Sequence, residues 1–462
     1  MAADRAAGSP ALYQEIADPG SLDQFGEETE PGNPAGWPGY EDQLRQARKA
    51  TGARHAVTTG VATVGGEPCV LAGFDFAFLG GSMGTAEAAK VARAFTVATA
   101  KRVPIVCVAA SGGSRMQEGT SALIQMQAVA AAITDARQAG IPHLAVAGDP
   151  TTGGVWSSLI AGADVLIGVP GARVSFSGSR TRPAGADPGS AEFLADGQWV
   201  RGFVDLLSPV RSLRGNVAAA IRLLSPRSRG GRPERAPLPT WPADAGDADD
   251  PGTDAGRQPG RDAWAQVGAA RSPRRARAGQ WLGSYFEQTL EIRGDRCGGV
   301  DPGLRCGFGR RDGATIAYIA QTGQRTLPAG FRTAARLLAL AGRFGRPVLT
   351  LIDTPGAAAA PADEAAGVGP ATAELLVAVA SSQVPITSVV IGEGVSGGAL
   401  ALASPSDLWI ARDGYLAVTA PELAASILKY PPGEIPRLAG WLRLTPAELV
   451  SRAIVRGIIR PC

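Results

Sequence analysis

Along most of the chain, short continuous apolar runs alternate with longer stretches in which apolar residues recur every three or four positions. PIVCVAA at 104–110 and PHLAVAG at 142–148 are runs of the first kind. Between 85 and 101, Ala88, Val91, Ala92, Phe95 and Ala98 carry the second pattern. A continuous run fits a strand buried on both faces, whereas the wider spacing fits a helix with one buried side. The first half therefore reads as a hairpin around Gly65-Gly66, the strand CVLAGFDFAFLGG (69–81) and a helix over 85–101. The strand 104–110, the loop SGGSRMQEG and the helix LIQMQAVAAAITDA follow. The strand 142–148, the loop DPTTGG, the helix VWSSLIAGA and the strand DVLIGV complete it. This alternation predicts an α/β fold of mostly parallel strands crossed over by helices.

The pattern then repeats. VPIVCVAASGG at 103–113 returns as RPVLTLIDTPG at 346–356, an offset of 243. At that offset Arg93 meets Arg336, Pro142 meets Pro385, Gly154 meets Gly397, Leu159 meets Leu402, Asp164 meets Asp407 and Gly171 meets Gly414. No gap is needed across about 80 residues, and the matches fall on equivalent punctuation, so one fold is used twice. Between Ser225 and Arg277 the composition shifts to Pro, Gly, Asp and Arg without apolar periodicity, as in a solvated linker. The expected division is a tail (1–39), a first domain (40–225), a linker (226–261) and a second domain (262–462).

Composition narrows the function. A chain of 462 residues with 45% hydrophobic and 19% charged residues describes a soluble two-domain protein. A formal charge of +3 predicts attraction neither to nucleic acid nor to membranes. Without a spanning-length apolar run or an apolar N-terminal stretch, the expected location is the cytoplasm. Cys69 and Cys107 read as core thiols, and five cysteines without a C-x-x-C pair give no zinc site. His55 and His143 are expected at the surface or at element edges, which leaves no histidine-based triad. Asp164 and Asp407, each at a helix-to-strand junction, read as structural turn or cap residues.

Four glycine-containing loops are the candidate chemistry. Gly112-Gly113 is followed forty-one residues later by Gly153-Gly154, and Gly356-Ala357 is followed at the same spacing by Gly397-Gly398. Each follows a buried strand and opens onto a helix, where free N–H groups and the helix dipole favour an oxygen ligand. Two such loops side by side make an oxyanion hole. Tight turns in an ordinary α/β protein are the plain alternative, but their paired repetition favours two holes, two carbonyl partners and group transfer.

FDFAFLGGSMG (74–84), SGGSRMQEG (111–119), DPTTGGVWSSLIAGADVLIGVPGARVSF (149–176) and AEFLADGQWVRGFVDLLSP (191–209) resemble the β subunit of bacterial acetyl-CoA carboxylase carboxyltransferase. YFEQTLEIRGDR (285–296), PAGFRTAARLLALAGRFGRPVLTLIDTPGA (328–357), VVIGEGVSGGALALA (389–403) and AVTAPELAASIL (417–428) resemble its α subunit. The chain thus resembles a β–α fusion. The resemblance implies two tandem crotonase-like ββα superhelical domains.

It also implies roles. The first half would bind an acyl-CoA thioester, with Gly112, Gly113, Gly153 and Gly154 around the enolate oxygen and Gly80, Gly81, Ser82, Met83 and Arg115 on the substrate side. Arg115 would meet a CoA phosphate, orient its loop or sit in a surface ion pair. The second half would bind carboxybiotin at Gly356, Ala357, Gly397, Gly398 and Ala399. In the family no side chain need act as base. Biotin would arrive on a separate biotin carboxyl carrier protein charged by a biotin carboxylase, and the chain would work as a homodimer or higher homo-oligomer.

Three departures stand out. The family's N-terminal zinc ribbon has no counterpart among the first sixty residues, which hold no cysteine, so no zinc is expected. Val395 replaces a glycine in GEGVSGGA, which predicts a reshaped loop, because a β-branched residue resists positive φ. Thr322 replaces a lysine in Gln321-Thr322-Gly323. A malonyl-thioester decarboxylase or transcarboxylase on the same fold, and a non-catalytic paralogue, remain the competing readings.

Overall fold

The computed structural model describes residues 11–26, 30, 32–178, 187, 189–226, 233–243 and 259–461. The chain divides into two units, Met1–Arg229 with Arg296–Gly298, and Gly230–Asp295 with Gly299–Cys462.

In the first unit, α1 (Leu12–Ile16), β1 (Asp23–Gln24) and α2 (Tyr40–Thr51) precede the hairpin of β2 (Val57–Val64) and β3 (Glu67–Phe74). Next come α3 (Thr85–Lys101), β4 (Ile105–Ser111), α4 (Thr120–Gln138), β5 (His143–Thr152) and α5 (Gly153–Val155). The unit ends with β6 (Val165–Gly168), β7 (Val174–Ser175), α6 (Ala195–Val200), β8 (Leu206–Leu207) and α7 (Val210–Leu224). The sheet order is β1-β2-β3-β4-β5-β6-β8, with β7 beside β5. Among the named strands of the described residues, β1-β2 and β2-β3 pair antiparallel and the rest pair parallel.

The second unit begins with α8 (Pro259–Arg271), α9 (Ala278–Tyr285), β9 (Gln288–Glu291), β10 (Leu304–Arg311) and β11 (Ala314–Gln321). It continues with α10 (Pro328–Phe344), β12 (Val348–Thr354), α11 (Pro361–Ala365), α12 (Val368–Ala380), β13 (Ile386–Val395) and α13 (Ser396–Leu400). The last elements are β14 (Leu408–Ala411), β15 (Tyr415–Ala417), α14 (Pro421–Leu428), α15 (Ile435–Trp441), α16 (Pro446–Ser451) and β16 (Ile458–Ile459). Its sheet runs β16-β14-β13-β12-β11-β10-β9, with β15 beside β13. Every residue of β12 is buried, as a parallel strand covered on both faces requires.

The duplication is visible in the element boundaries. Helices α3 and α10, and strands β4 and β12, β5 and β13, β6 and β14, begin and end 243 positions apart. The hairpins β2-β3 and β10-β11 are instead 247 apart. The loop between hairpin and helix is four residues longer in the first unit, 75–84 against 322–327, and absorbs the difference.

Several local expectations change. Strand β3 stops at Phe74 instead of running to Gly81, because the chain turns at Asp75, whose Oδ1 accepts the Ala77 N–H at 2.9 Å. The helix expected over 155–163 is the short α5 followed by a π-helical turn, Trp156–Ile160. Both histidines are buried, and His143 opens a central strand with its ring edge-on to Phe95 at 5.0 Å. The first 39 residues are not simply a tail. In α1, Tyr13 packs over Gly73, where a Cβ would collide with the ring, and β1 pairs with β2. Within the expected linker, 227–232 and 244–258 lie outside the described residues, while Ala236 packs in the core of the second unit. Asp164 and Asp407 tie strands together, Asp164 Oδ2 accepting the His143 N–H at 2.9 Å and Asp407 Oδ2 the Thr387 hydroxyl at 3.0 Å.

Candidate active site

Each unit ends two neighbouring parallel strands in the same pair of loops. Gly113 has φ +107° and Gly356 has φ +117°, a region that L side chains enter only under strain. The turn is braced the same way twice. Gly113 N–H donates to Ser111 Oγ at 3.0 Å, and Gly356 N–H donates to Thr354 Oγ1 at 3.1 Å. Behind it, Met83 bridges to Ser114 and Thr326 bridges to Ala357, both in parallel register.

These bonds decide which amides are open. Gly112 N–H is taken by Gly80 O at 2.8 Å, and Gly153 N–H by Phe176 O at 3.1 Å. Gly154 is the second residue of α5, and Gly397 and Gly398 are the second and third of α13, positions whose amides find no acceptor in their own helix. Ala399 lies one residue beyond that limit and is not an open donor. The Ala357 N–H has no acceptor among the described residues, because the bridge to Thr326 uses Gly356 O and the Ala358 N–H. The facing loops touch backbone to backbone. A Cβ on Gly113 would stand 3.2 Å from Gly154 N, and one on Gly398 would stand 2.5 Å from Ala357 N. The Ser114 N–H, the first unit's counterpart of the Ala357 N–H, likewise has no acceptor among the described residues. Open amides thus cluster at Ser114 and Gly154 in the first unit and at Ala357, Gly397 and Gly398 in the second.

The expected substrate-side residues prove to be braces. Gly80 O holds Gly112, and a Cβ on Gly81 would run into the Ala110 carbonyl. Met83 is fully buried. Arg115 is neither a surface ion pair nor within reach of a phosphate, being only 1% exposed. Its guanidinium donates to Glu87 Oε1 at 2.9 Å, Tyr40 OH at 3.1 Å, Ser82 Oγ at 2.9 Å and the Ser82 carbonyl. Glu118 accepts from Tyr40 OH and from Thr85 N–H, both at 2.7 Å, and so caps α3. In the second unit Asp301 does comparable work, accepting the Leu327 N–H at 2.8 Å just before α10, and burial pushes its pKa up to about 6. Neither Glu87 nor Tyr40 was legible as a partner of Arg115, since each sits in an ordinary helical pattern.

Val395 does not reshape the biotin-side loop in the way expected. It is extended, with φ −109°, and belongs to the buried apolar cluster that includes Ala263 and Val267. The left-handed residue is Ser396 at φ +60°, matching Gly153 at φ +62°. Thr322 carries no charge, but Arg277 comes within 2.8 Å of where a Cβ on Gly323 would lie, and the exposed Arg325 donates to Ala357 O at 3.2 Å. Beside the start of α5 a cavity of about 400 Å³ is lined by Trp156, Ser175, Phe176, Phe193, Gln198 and Phe203.

Two copies of a ββα unit, each closing a pair of amide-lined loops at the ends of parallel strands, define a crotonase-fold enzyme acting on carbonyl groups. Comparison with known proteins narrows the class. The family described as acetyl co-enzyme A carboxylase carboxyltransferase-like matches residues 261–462, and the carboxyl transferase domain matches 33–181. Acetyl-coenzyme A carboxylase carboxyl transferase subunits beta/alpha from Salinispora tropica is 37% identical over 476 residues, spanning 98% of this chain and 82% of the relative. A probable biotin-dependent acyl-coenzyme A carboxylase beta3 subunit from Mycobacterium bovis is 31% identical, over 91% of this chain and 83% of that one. Among solved structures, transcarboxylase 12S matches with a TM-score of 0.76 at 20% identity, covering 97% of this chain and 86% of that one. The chain belongs to the acetyl-coenzyme A carboxylase carboxyltransferase family, of the type that carries β-like and α-like halves on one polypeptide. It is an acyl-CoA carboxyltransferase.

Proposed function

We propose that the first unit holds an acyl-CoA thioester with its carbonyl oxygen at the Gly154 amide, and that the second unit holds the ureido carbonyl of carboxylated biotin at Ala357, Gly397 and Gly398. The observation that carries this reading is the repetition of one loop pair, with open amides, at a single offset in both units. Carboxylated biotin, borne by a separate carrier protein and recharged by a biotin carboxylase, supplies the carboxyl group. The chain's own part is electrostatic. Open main-chain N–H dipoles, beside turns that Ser111 and Thr354 brace, face the carbonyl oxygens and favour charge there, so the thioester loses its α-proton more readily. The cavity beside Trp156 and Phe193 gives the acyl group an apolar place. Main-chain donors suit a ureido carbonyl, and the Arg325 guanidinium beside Ala357 suits its carboxylate.

Exchange of labelled carboxyl between malonyl-CoA and carrier-bound biotin tests the reading. In that assay Arg325→Gln should raise the KM for the carrier roughly tenfold, as loss of a charge-assisted hydrogen bond of about 1.5 kcal/mol would. The KM for malonyl-CoA should not move, and equal shifts in both would remove Arg325 from the biotin side.

We also infer that the chain works as a homodimer or higher homo-oligomer. Met116, Leu123 and Ile124 in the first unit and Val418, Leu423, Ile427 and Leu428 in the second leave large apolar side chains exposed. The transcarboxylase 12S structure is described as a hexamer. Sedimentation at micromolar concentration should show no monomer, and a fully active monomer would contradict this.

A further inference from the structure

Gln321 is the last residue of β11 and is fully buried. Its side-chain amide reaches three segments. Nε2 donates to the Gly398 carbonyl at 2.9 Å and to Thr326 Oγ1 at 3.0 Å, while Oε1 accepts the Asp353 N–H at 3.3 Å. Each partner belongs to the frame of the second loop pair. Gly398 lies in the opening turn of α13. Thr326 brackets the Gly356–Ala358 loop, donating to Gly356 O and accepting from the Ala358 N–H. Asp353 leads into Thr354, whose hydroxyl braces the Gly356 turn.

The Gly398 carbonyl depends on this contact. In a longer helix it would accept the Leu402 N–H, but α13 ends at Leu400 and the Leu402 N–H turns to Ala399 O at 3.2 Å. Among the described residues the one donor to the Gly398 carbonyl is then the Gln321 amide. The equivalent last residue of β3 in the first unit is Phe74, which packs in the apolar core. The first loop pair is thus supported at this point by packing, and the second by a hydrogen-bonded amide.

We propose that Gln321 is the positioning residue of the second loop pair, holding the amides of Ala357 on one loop and Gly397–Gly398 on the other at one separation. This rests on the reading of those amides as the biotin-side hole. The residue touches no reacting atom and acts through Gly398, Thr326 and Asp353.

The test compares wild type, Gln321→Leu and Gln321→Glu in the full-length chain. Hydrogen–deuterium exchange should rise in Gln321→Leu at 354–358 and 396–401, and stay unchanged at 111–115 and 152–156. Carboxyl exchange with carrier-bound biotin should fall on the order of 100-fold in kcat, the effect of a misplacement of about 1 Å. The dissociation constant for CoA should hold. In Gln321→Glu an ionised carboxylate cannot donate to Gly398 O, whereas the protonated acid can, so its activity relative to wild type should recover as pH falls. Unchanged amide exchange at both segments in Gln321→Leu, or a rise spread evenly over the second unit, would overturn the positioning role. Carboxyl exchange that ignores the carrier in wild type would instead remove the biotin reading, while amide exchange would still decide whether Gln321 holds the loops.

Discussion

Arg115→Met should lower the unfolding free energy of the first unit by about 3–5 kcal/mol, the usual cost of removing one partner from a buried ion pair. The cause is local. Glu87 and Glu118 are as buried as Arg115, with Glu87 at 2.9 Å and Glu118 at 3.7 Å from the guanidinium, and removing the cation leaves two buried carboxylates without their shared positive charge. Arg115→Lys should recover only part of the loss. An ammonium cannot meet Glu87, Tyr40 and the Ser82 carbonyl together as the planar guanidinium does. Chemical denaturation followed by a probe in the first unit checks this. A change below about 1 kcal/mol, the scale of an exposed pair, would show that the network is not closed in solution.

Gly113→Val should reduce turnover by roughly 100–1000-fold, the loss expected when one oxyanion donor, here the Gly154 amide, is blocked. At φ +107° any side chain is strained, and its Cβ would lie 3.2 Å from both Gly154 N and Thr152 O. The branched methyls would occupy the space that the Gly154 amide faces. CoA binding should survive, because most of that contact lies away from the reacting carbonyl. Malonyl-CoA exchange kinetics alongside CoA titration separate the two. Normal turnover in this variant would exclude Gly113 from the site.

These residues also show where the sequence was readable. The 243-residue offset located both loop pairs, because a strand, a tight turn and a helix start need the same punctuation each time they are used. It broke down upstream of α3, where a loop four residues longer shifts the hairpin register to 247, and again past β6 and β14, where their partners β8 and β16 lie 252 apart. Apolar pattern gave the strands and helices but not what lies between them. Arg115 reads as a polar loop residue, and its burial depends on Glu87 and Tyr40, which are distant in sequence and unremarkable in their own helices. His143 opens a strand, and only the sheet order places that strand at the centre. Val395 was expected to reshape its loop by resisting a positive φ, yet the positive φ falls one residue later, on Ser396. Which amides are open was the least legible feature. Gly112, Gly113 and Gly153 look equivalent to Gly154 in sequence, and only their bonds to Gly80 O, Ser111 Oγ and Phe176 O set them apart.

Carboxyl transfer from labelled malonyl-CoA, run with carrier-bound biotin, with free biotin and with no biotin, bears most directly on the function proposed for the two loop pairs. Label should pass to the carrier readily and to free biotin poorly, because tethering supplies an effective concentration that a small soluble acceptor lacks. Without biotin, malonyl-CoA should persist. Labelled carbon dioxide appearing at the same rate in all three reactions would contradict the transfer reading and identify a biotin-independent decarboxylase.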